Sequence, residues 1–215
     1  MFSIITSSAW LCAPQDPIDR ILSTIRSHCK REIAMIRTLL TATGLLVLAA
    51  CSQVQVSDYA GMQPELRVEE FFTGPLSAHG VVKNRAGKVI RTFNATIDAR
   101  WEDGIGTLDE DFVFNDGEQQ KRIWTLRPQA DGTYAGTAGD VTGEGVLRQA
   151  GNSIFLDYVL QVPYRDSVIE VTVDDRMYLL TPDILINESK LKKFGFQVGE
   201  LLLVIKHGKA SSALN

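Results

Sequence analysis

The stretch KVIRTFNATIDARWE, residues 88–102, decides the fold class. Apolar and polar side chains alternate along it. One face carries Phe93, Ala95, Ile97, Ala99 and Trp101, and the other carries Thr92, Asn94, Thr96, Asp98 and Arg100. This period of two predicts a long, half-buried β-strand, because successive side chains of a strand point to opposite sides of the sheet.

Similar stretches follow at fairly even intervals, separated by turn signals. TLDEDFVFNDGE, residues 107–118, places Leu108, Phe112 and Phe114 on one face and ends in Asn-Asp-Gly. VIEVTVDDRMYLL, residues 168–180, begins with the same alternation of apolar and polar residues. We therefore expect about eight to ten antiparallel strands joined in sequence by short turns.

A meander of this kind can close on itself, which removes the exposed strand edges. The sequence predicts an all-β protein whose favoured architecture is an antiparallel up-and-down, lipocalin-like (calycin-like) β-barrel. A two-sheet β-sandwich is the alternative. We assign the barrel to residues 65–208, expect a disordered tail at residues 209–215, and expect helix only as a turn or two around residues 189–193.

Composition limits the class of protein. The 215 residues are 45% hydrophobic and 22% charged, with a net charge of −4, which is typical of one globular domain. No stripe of Lys and Arg with interleaved aromatic residues appears, so we expect no nucleic-acid partner. The three cysteines are Cys12, Cys29 and Cys51, so the barrel segment can contain neither a disulfide nor a thiolate metal site.

The stretch MIRTLLTATGLLVLAACSQ, residues 35–53, predicts export. After Arg37 comes an apolar run of about 12 residues, shorter than the roughly 20 that a bilayer-spanning helix needs, and small residues end it. A positive flank followed by a short apolar run is typical of a signal peptide. We assign the signal peptide to residues 35–50, with Met35 as the true start, and interpret residues 1–34 as an over-extended or disordered leader.

The end of the apolar run resembles the bacterial lipobox, the site at which lipoprotein precursors are modified and cut. The matching residues are Leu48, Ala49, Ala50 and Cys51. The resemblance implies that the Cys51 thiol receives diacylglycerol and that cleavage falls between Ala50 and Cys51. Two or three acyl chains would then hold the protein stably on a membrane. Ser52 replaces the Asp that signals inner-membrane retention, which implies the outer membrane, and residues 51–64 would form the lipidated tether.

The barrel segment contains no motif that predicts catalysis. A zinc site needs three or four ligands, but His79 is the only histidine of this segment apart from His207 near its end. The acidic runs 109–111 and 174–175 are interpreted as solvated strand faces and turns. No Gly-x-Ser-x-Gly nucleophile elbow is present. We therefore expect no enzyme activity, no metal and no cofactor.

Six aromatic residues on the predicted strands are candidates for the lining of a ligand cavity. They are Trp101, Phe112, Phe114, Trp124, Phe155 and Tyr158. A barrel of this size can hold one small ligand or be filled by its own side chains, and aromatic walls suit an acyl chain or another apolar molecule. A filled core is the alternative interpretation.

Residues from about Gly74 to Ile205 resemble the domain of unknown function 3833, whose members are predicted bacterial lipoproteins. The phrases that carry the resemblance are GVVKNRAGKVIRTFNATIDARW, GTLDEDFVFNDGE, RIWTL, DGTYAGTAGDVTGEG, DDRMYLL and LINESKLKKFGFQVGEL. The resemblance implies a location in the cell envelope and a β-rich fold. It implies no activity, catalytic residue or cofactor.

These features predict a lipid-anchored barrel on the inner leaflet of the outer membrane, facing the periplasm and binding a hydrophobic or lipid-like ligand. A structural or assembly factor of the envelope that acts through its outer surface is the alternative. The expected partners are the membrane, through the anchor, and a hydrophobic small molecule.

Overall fold

The computed structural model describes residues 53–208, together with Arg26 and His28, which are both helical. Internal contacts divide the chain into two units, Met1–Gln53 and Val54–Asn215. The second unit contains all the strands and the whole buried apolar core of the described residues, so it forms a compact unit with its own core. The predicted signal peptide, the lipidation and sorting residues, and the C-terminal tail lie outside the described residues.

Ten antiparallel strands form one closed barrel in the described part of the chain. Each strand pairs with the next in sequence, and β1 pairs with β10 to complete the ring. The strands are β1 Gly74–Asn84, β2 Val89–Glu102, β3 Ile105–Phe114, β4 Gln119–Pro128, β5 Tyr134–Thr137, β6 Gly145–Ala150, β7 Ser153–Tyr164, β8 Ser167–Thr181, β9 Ile184–Lys193 and β10 Phe196–His207. The predicted barrel is confirmed, and its closure excludes the sandwich alternative.

Burial along β2 shows why this sequence forms a barrel wall. Phe93, Ala95, Ile97 and Ala99 are buried, while the residues between them are exposed. Burial of a large apolar side chain contributes roughly 1.5–3 kcal/mol. A slip in register by one residue would turn this whole face to water, so the alternation holds the strand in place.

The connections alternate between the two ends of the barrel. One end, which we call the rim, carries the connections β1–β2, β3–β4, β5–β6, β7–β8 and β9–β10. The other end, the base, is covered by helix α1, Val68–Phe71, with Leu66 and Phe72 buried on either side of it. Trp101 Nε1 donates a hydrogen bond to the backbone oxygen of Phe72 at 2.8 Å, which ties this cover to β2.

A 3₁₀ helix, Val56–Tyr59, lies within the segment predicted to be a tether. The Tyr59 ring packs against Phe155 and Tyr178 on the outer wall, with ring centroids 5.7 and 5.5 Å away. The described part of the segment therefore contacts the barrel.

The expectation of helix around residues 189–193 is wrong, because these residues continue β9. They pair with β8 on one side and β10 on the other. Leu185, Asn187 and Ser189 are buried along one face of this strand, so pairing on both sides and burial outweigh local helix propensity. In the described residues no helix is long and apolar enough to cross a bilayer.

Candidate functional site

A cavity of about 100 Å³ lies inside the barrel. Its wall is mainly apolar, but six side chains with polar groups interrupt it. These are Glu110, Arg122, Tyr158, Asp175, Asn187 and Ser189, which we call the polar cluster. Burying polar groups in an apolar surrounding is unfavourable unless they are paired, so a polar cluster beside unfilled space marks a candidate site.

Strand alternation places these residues on the inner face. The contributors are Glu110 from β3, Arg122 from β4, Tyr158 from β7, Asp175 from β8, and Asn187 and Ser189 from β9. Glu110, for example, is two residues from both Leu108 and Phe112, and all three line the same cavity. Five strands thus each direct polar groups inward, and only closure of the barrel brings these groups together.

Asp175 is the most firmly held member of the polar cluster. It is 7% exposed, and its Oδ1 accepts hydrogen bonds from Ser189 Oγ at 2.7 Å and from Asn187 Nδ2. Burial raises the pKa of Asp175 to about 6, against the lowering effect of these two hydrogen bonds and of Arg122. No described residue donates a hydrogen bond to the other oxygen, Oδ2.

Glu110 differs from Asp175 because its carboxylate accepts no hydrogen bond from the described residues. By exposed area it is half-buried, and it lines the cavity. Burial raises the pKa of Glu110 to about 7, with Arg122 partly offsetting this rise and Asp175 adding to it. Near neutral pH the carboxyl group can therefore either donate or accept a hydrogen bond from whatever occupies the cavity.

Arg122 is the cation of the polar cluster, and Asp140 neutralises it. Its Nη2 lies 2.6 Å from Asp140 Oδ2, and its Nε lies 3.1 Å from Oδ1. Burial lowers the pKa of Arg122, but the hydrogen bonds to Asp140 and the nearby acids outweigh burial, so the net pKa is raised. The guanidinium remains charged and its orientation is fixed.

Tyr158 presents a phenol group to the same cavity. Burial, followed by the nearby Asp175, raises the pKa of Tyr158, so the hydroxyl stays protonated. No described residue is hydrogen-bonded to this hydroxyl, and the ring is held edge-on against Trp124, with centroids 5.2 Å apart. Tyr158 therefore offers a second polar group that a ligand could satisfy.

The barrel wall has a seam beside Arg122. Strand β5 pairs with β4 only over Thr125–Pro128, so the rim half of β4 has no strand partner on that side. The β5–β6 connection instead follows β7, where Thr142 N donates to Val159 O and Gln161 N donates to Asp140 O. In the described residues the connection reaches the rim half of β4 through the Arg122–Asp140 pair, without a backbone hydrogen bond.

A groove of about 640 Å³ lies on the outer side of this seam. Its lining includes Lys121, Arg122, Asp140 and Gln161. Arg122 lines both the groove and the internal cavity. Arg122 thus lies between the internal cavity and the outer groove.

Three of the six aromatic residues predicted to line a cavity do face it, namely Phe112, Trp124 and Tyr158. Trp101 is also internal, but it lies at the base, edge-on to Tyr134 with ring centroids 6.0 Å apart. Its ring lies over Gly106, where an added Cβ would come within 2.7 Å of it. Trp101 therefore fills the base and does not line the cavity.

The other two aromatic residues lie away from the cavity. Phe114 sits near the rim beneath the guanidinium of Arg91, whose Cζ is 3.7 Å from the ring centroid. Phe155 faces the outer wall, because it is adjacent to the inward-facing Leu156 on β7. There it packs against Tyr59 and lies 4.7 Å from Arg176 Cζ.

The interpretation of the acidic runs as solvated is wrong for Glu110 and Asp175, which sequence reasoning missed as site residues. Each lies an even number of positions from inward-facing apolar residues of its own strand. This spacing was the signal in the sequence that their side chains point into the barrel. His79 is exposed, and its Nδ1 lies 2.7 Å from Asn94 Oδ1. No group of three or more acidic, histidine or cysteine residues within the described ranges is arranged to hold a metal.

A family model described as "Protein of unknown function (DUF3833)" matches residues 45–207. The chain belongs to this family. The match includes every strand of the DUF3833 barrel, and it confirms the resemblance seen in the sequence. No curated protein matches this DUF3833 sequence.

Solved structures resemble the DUF3833 barrel at low sequence identity. The S-type phycobiliprotein lyase CPES from Guillardia theta is 14% identical with a TM-score of 0.50, over 68% of this chain and 95% of that chain. A protein of unknown function from the DUF3598 family of Nostoc punctiforme is 14% identical (TM-score 0.49, 67% and 50% covered). The odorant-binding protein OBP1 is 12% identical (TM-score 0.31, 69% and 79% covered). The likeness to the lyase concerns the fold alone.

Proposed function

We propose that this DUF3833 protein binds a small amphipathic molecule inside its barrel. The observation that carries the proposal is the Glu110 carboxylate, which faces the cavity without a hydrogen bond from the described residues. An unpaired carboxyl at such a position lowers stability. A ligand that hydrogen-bonds to Glu110, Tyr158 and Asp175 would remove this penalty, while its apolar part contacts Phe112 and Trp124.

The charges around the cavity select the polar group of the ligand. Three carboxylates, Glu110, Asp140 and Asp175, face one guanidinium, that of Arg122, which Asp140 already neutralises. A fatty-acid carboxylate would add another negative charge to an acidic surrounding. A hydroxyl or an amine instead donates hydrogen bonds to the carboxylates, so we infer an alcohol or amine head group.

The size of the cavity limits how much of the ligand it holds. A cavity of about 150 Å³ accommodates benzene, and drug-sized ligands occupy about 300–1,000 Å³. The 100 Å³ present here suits a head group with a few further atoms. We propose that a longer apolar tail leaves through the seam at Arg122 and Asp140 and lies in the outer groove.

The second candidate function is that of a structural or assembly factor without a ligand. The observation in its favour is the same small cavity, because most of the interior is filled by side chains. Neither candidate function involves catalysis. They differ in whether a small molecule enters the barrel: the first requires a ligand in the cavity, and the second acts through the outer surface.

We also propose that the protein is an envelope lipoprotein anchored through Cys51, in the inner leaflet of the outer membrane and facing the periplasm. The support is the sequence around Leu48–Cys51 and the residue Ser52. Metabolic labelling with a radioactive fatty acid tests the anchor. Label on the wild type that disappears in Cys51→Ala is expected, and undiminished label in the variant would contradict the anchor.

Three matched probes test the ligand site: hexanol, hexylamine and hexanoate. Residues 54–215 are titrated with each probe, and binding is followed by calorimetry and by tryptophan fluorescence. Trp124 lines the cavity and Trp101 does not, so a change in fluorescence on binding is expected mainly from Trp124. We expect the alcohol and the amine to bind at least about tenfold more tightly than the carboxylate, equivalent to about 1.4 kcal/mol. Mass spectrometry of the natively purified protein would identify a co-purified molecule and show whether it is chemically unchanged.

Glu110→Gln and Glu102→Gln form a matched pair of variants for the same titration. Glu102 is exposed at the end of β2, so its substitution should leave binding unchanged. Glu110→Gln should weaken amine binding by about tenfold and leave alcohol binding closer to the wild-type value. If none of the three probes enters the wild-type barrel, the ligand-binding function is wrong and the structural alternative stands.

A further inference from the structure

Exposed apolar side chains concentrate at three hairpin tips of the rim. We define the tips as residues 84–90, 163–168 and 192–198. The four most exposed large apolar residues of the described chain all lie in them: Phe194 at 88%, Phe196 at 67%, Val168 at 62% and Ile90 at 54%. Single exposed apolar residues are ordinary, whereas a group of them at one end of a molecule indicates a contact surface.

The three tips are neighbours around the barrel. The tip at 84–90 joins β1 to β2, the tip at 192–198 joins β9 to β10, and the tip at 163–168 joins β7 to β8. Because β1 pairs with β10 and β8 pairs with β9, these hairpins follow one another along the rim. They therefore form one continuous surface.

Phe194 occupies its tip at an energetic cost. Phe194 and Gly195 both have positive φ, 51° and 80°, as the central residues of a type I′ turn do. Asn-Gly is the favoured pair there, and a bulky residue with positive φ is unusual. A strained backbone that presents a side chain almost fully to water points to a function for that side chain.

Charge divides the rim into two parts. The three tips contain five basic residues and one acidic residue, Asp166; the basic residues are Arg85, Lys88, Arg165, Lys192 and Lys193. The remaining rim connections, residues 115–118 and 138–144, contain four acidic residues and no basic residue. Two of the basic side chains also lie beside a tip aromatic ring, Lys193 near Phe194 and Arg165 near Tyr164, at 5.1 and 5.2 Å from the centroid.

We propose that the three tips dock on an anionic lipid bilayer, with Phe194 and Phe196 inserting at the level of the head groups. Aromatic rings beside basic side chains match the bilayer interface, where the ring enters the acyl boundary and the cation meets phosphate. A protein partner would require a shaped pocket for each protruding ring, whereas a bilayer accepts protruding rings directly. This surface is separate from the internal cavity, so the two proposals can fail independently.

Vesicle co-sedimentation of residues 54–215 tests the docking surface without any contribution from a lipid anchor. One set of vesicles is pure phosphatidylcholine, and the other contains about a third phosphatidylglycerol, whose negative charge attracts basic segments. We expect the wild type to partition at least about tenfold more strongly onto the anionic vesicles, with a loss of binding as salt is raised. The absence of binding to anionic vesicles would overturn the proposal.

The double variant Phe194→Asn, Phe196→Thr should reduce binding to anionic vesicles by about tenfold or more, because burial of even one Phe ring is worth that much. Asn suits the type I′ turn and Thr suits a strand, so both replacements are compatible with the backbone at their positions. Leu180→Asn, which replaces an exposed apolar residue near the base, is the control and should bind as the wild type does. Equal binding by the double variant, or vesicle-independent dimerisation through the tips in sedimentation, would overturn the proposal.

Discussion

Arg122 on β4 and Asp140 in the β5–β6 connection form a two-point ion pair across the seam of the barrel wall, with Nη2–Oδ2 and Nε–Oδ1 distances of 2.6 and 3.1 Å. Arg122 also lines the internal cavity, where it lowers the pKa of Glu110 relative to burial alone. One residue therefore connects the stability of the wall to the electrostatics of the cavity.

Asp140→Asn should lower the free energy of unfolding by about 1–2 kcal/mol, because it leaves a mostly buried guanidinium without its partner. Chemical denaturation measures this change. The control is Asp157→Asn, which breaks the exposed pair with Arg148 and should change stability by no more than about 0.5 kcal/mol. Equal effects of the two substitutions would show that the seam pair is no stronger than an ordinary surface ion pair.

Glu110 should make the folded state less stable as the pH rises. Its pKa is raised from 4.5 to about 7, so between these values the folded protein holds a proton that the unfolded chain has lost. The free energy of unfolding therefore falls with rising pH across this window. The stabilisation that comes from protonated Glu110 is present in full only below about pH 4.5 and is lost as the pH rises through about 7. Asp175, raised from 3.8 to about 6, contributes in the same direction at lower pH.

Glu110→Gln should remove the part of this pH dependence that Glu110 causes and leave the part due to Asp175. Near pH 8 we expect the variant to unfold with a free energy greater than that of the wild type by on the order of 1–3 kcal/mol, with the difference vanishing near pH 4.5. Denaturation at several pH values measures the two curves. Glu102→Gln, at an exposed position, should follow the wild-type curve, and parallel curves for Glu110→Gln and the wild type would disprove the raised pKa.

Asp175→Ala and Asp175→Asn should differ in stability. Alanine leaves the buried Asn187 amide and Ser189 hydroxyl without their acceptor, which should lower the free energy of unfolding by about 2–3 kcal/mol. Asparagine retains an acceptor oxygen in place and should lower it by roughly half as much. Both substitutions remove a negative charge near Glu110, so the pKa of Glu110 should fall, which NMR titration of its carboxyl carbon can measure.

Phe194→Asn should raise the free energy of unfolding by about 0.5–1 kcal/mol, because Asn tolerates the positive φ of a type I′ turn better than Phe does. Thermal and chemical denaturation measure the gain. Phe194→Ala is the control, since it removes the ring but leaves a side chain that also disfavours this backbone, and it should be close to neutral. A destabilised Phe194→Asn would mean that the ring contributes to the fold.

Several features of this protein could be predicted from local sequence. The alternation in residues 88–102 and the regular turn signals were sufficient for an antiparallel up-and-down barrel. The same rule, applied strictly, also places Glu110 on the face of Leu108 and Phe112. The acidic runs 109–111 and 174–175 instead suggest solvated positions for Glu110 and Asp175, because acidic residues are mostly exposed in proteins.

The sequence by itself determined the strand pattern and the resemblance to a lipoprotein precursor, because both depend on residues close together along the chain. Only the tertiary structure decided which polar groups meet in the cavity and which hairpin tips share one surface. Glu110 and Asp175 are on strands β3 and β8, and the effect of Asp175 on the pKa of Glu110 exists only after the ring closes. Contacts of this kind join residues of strands that are far apart in the sequence, so they form only when the barrel closes.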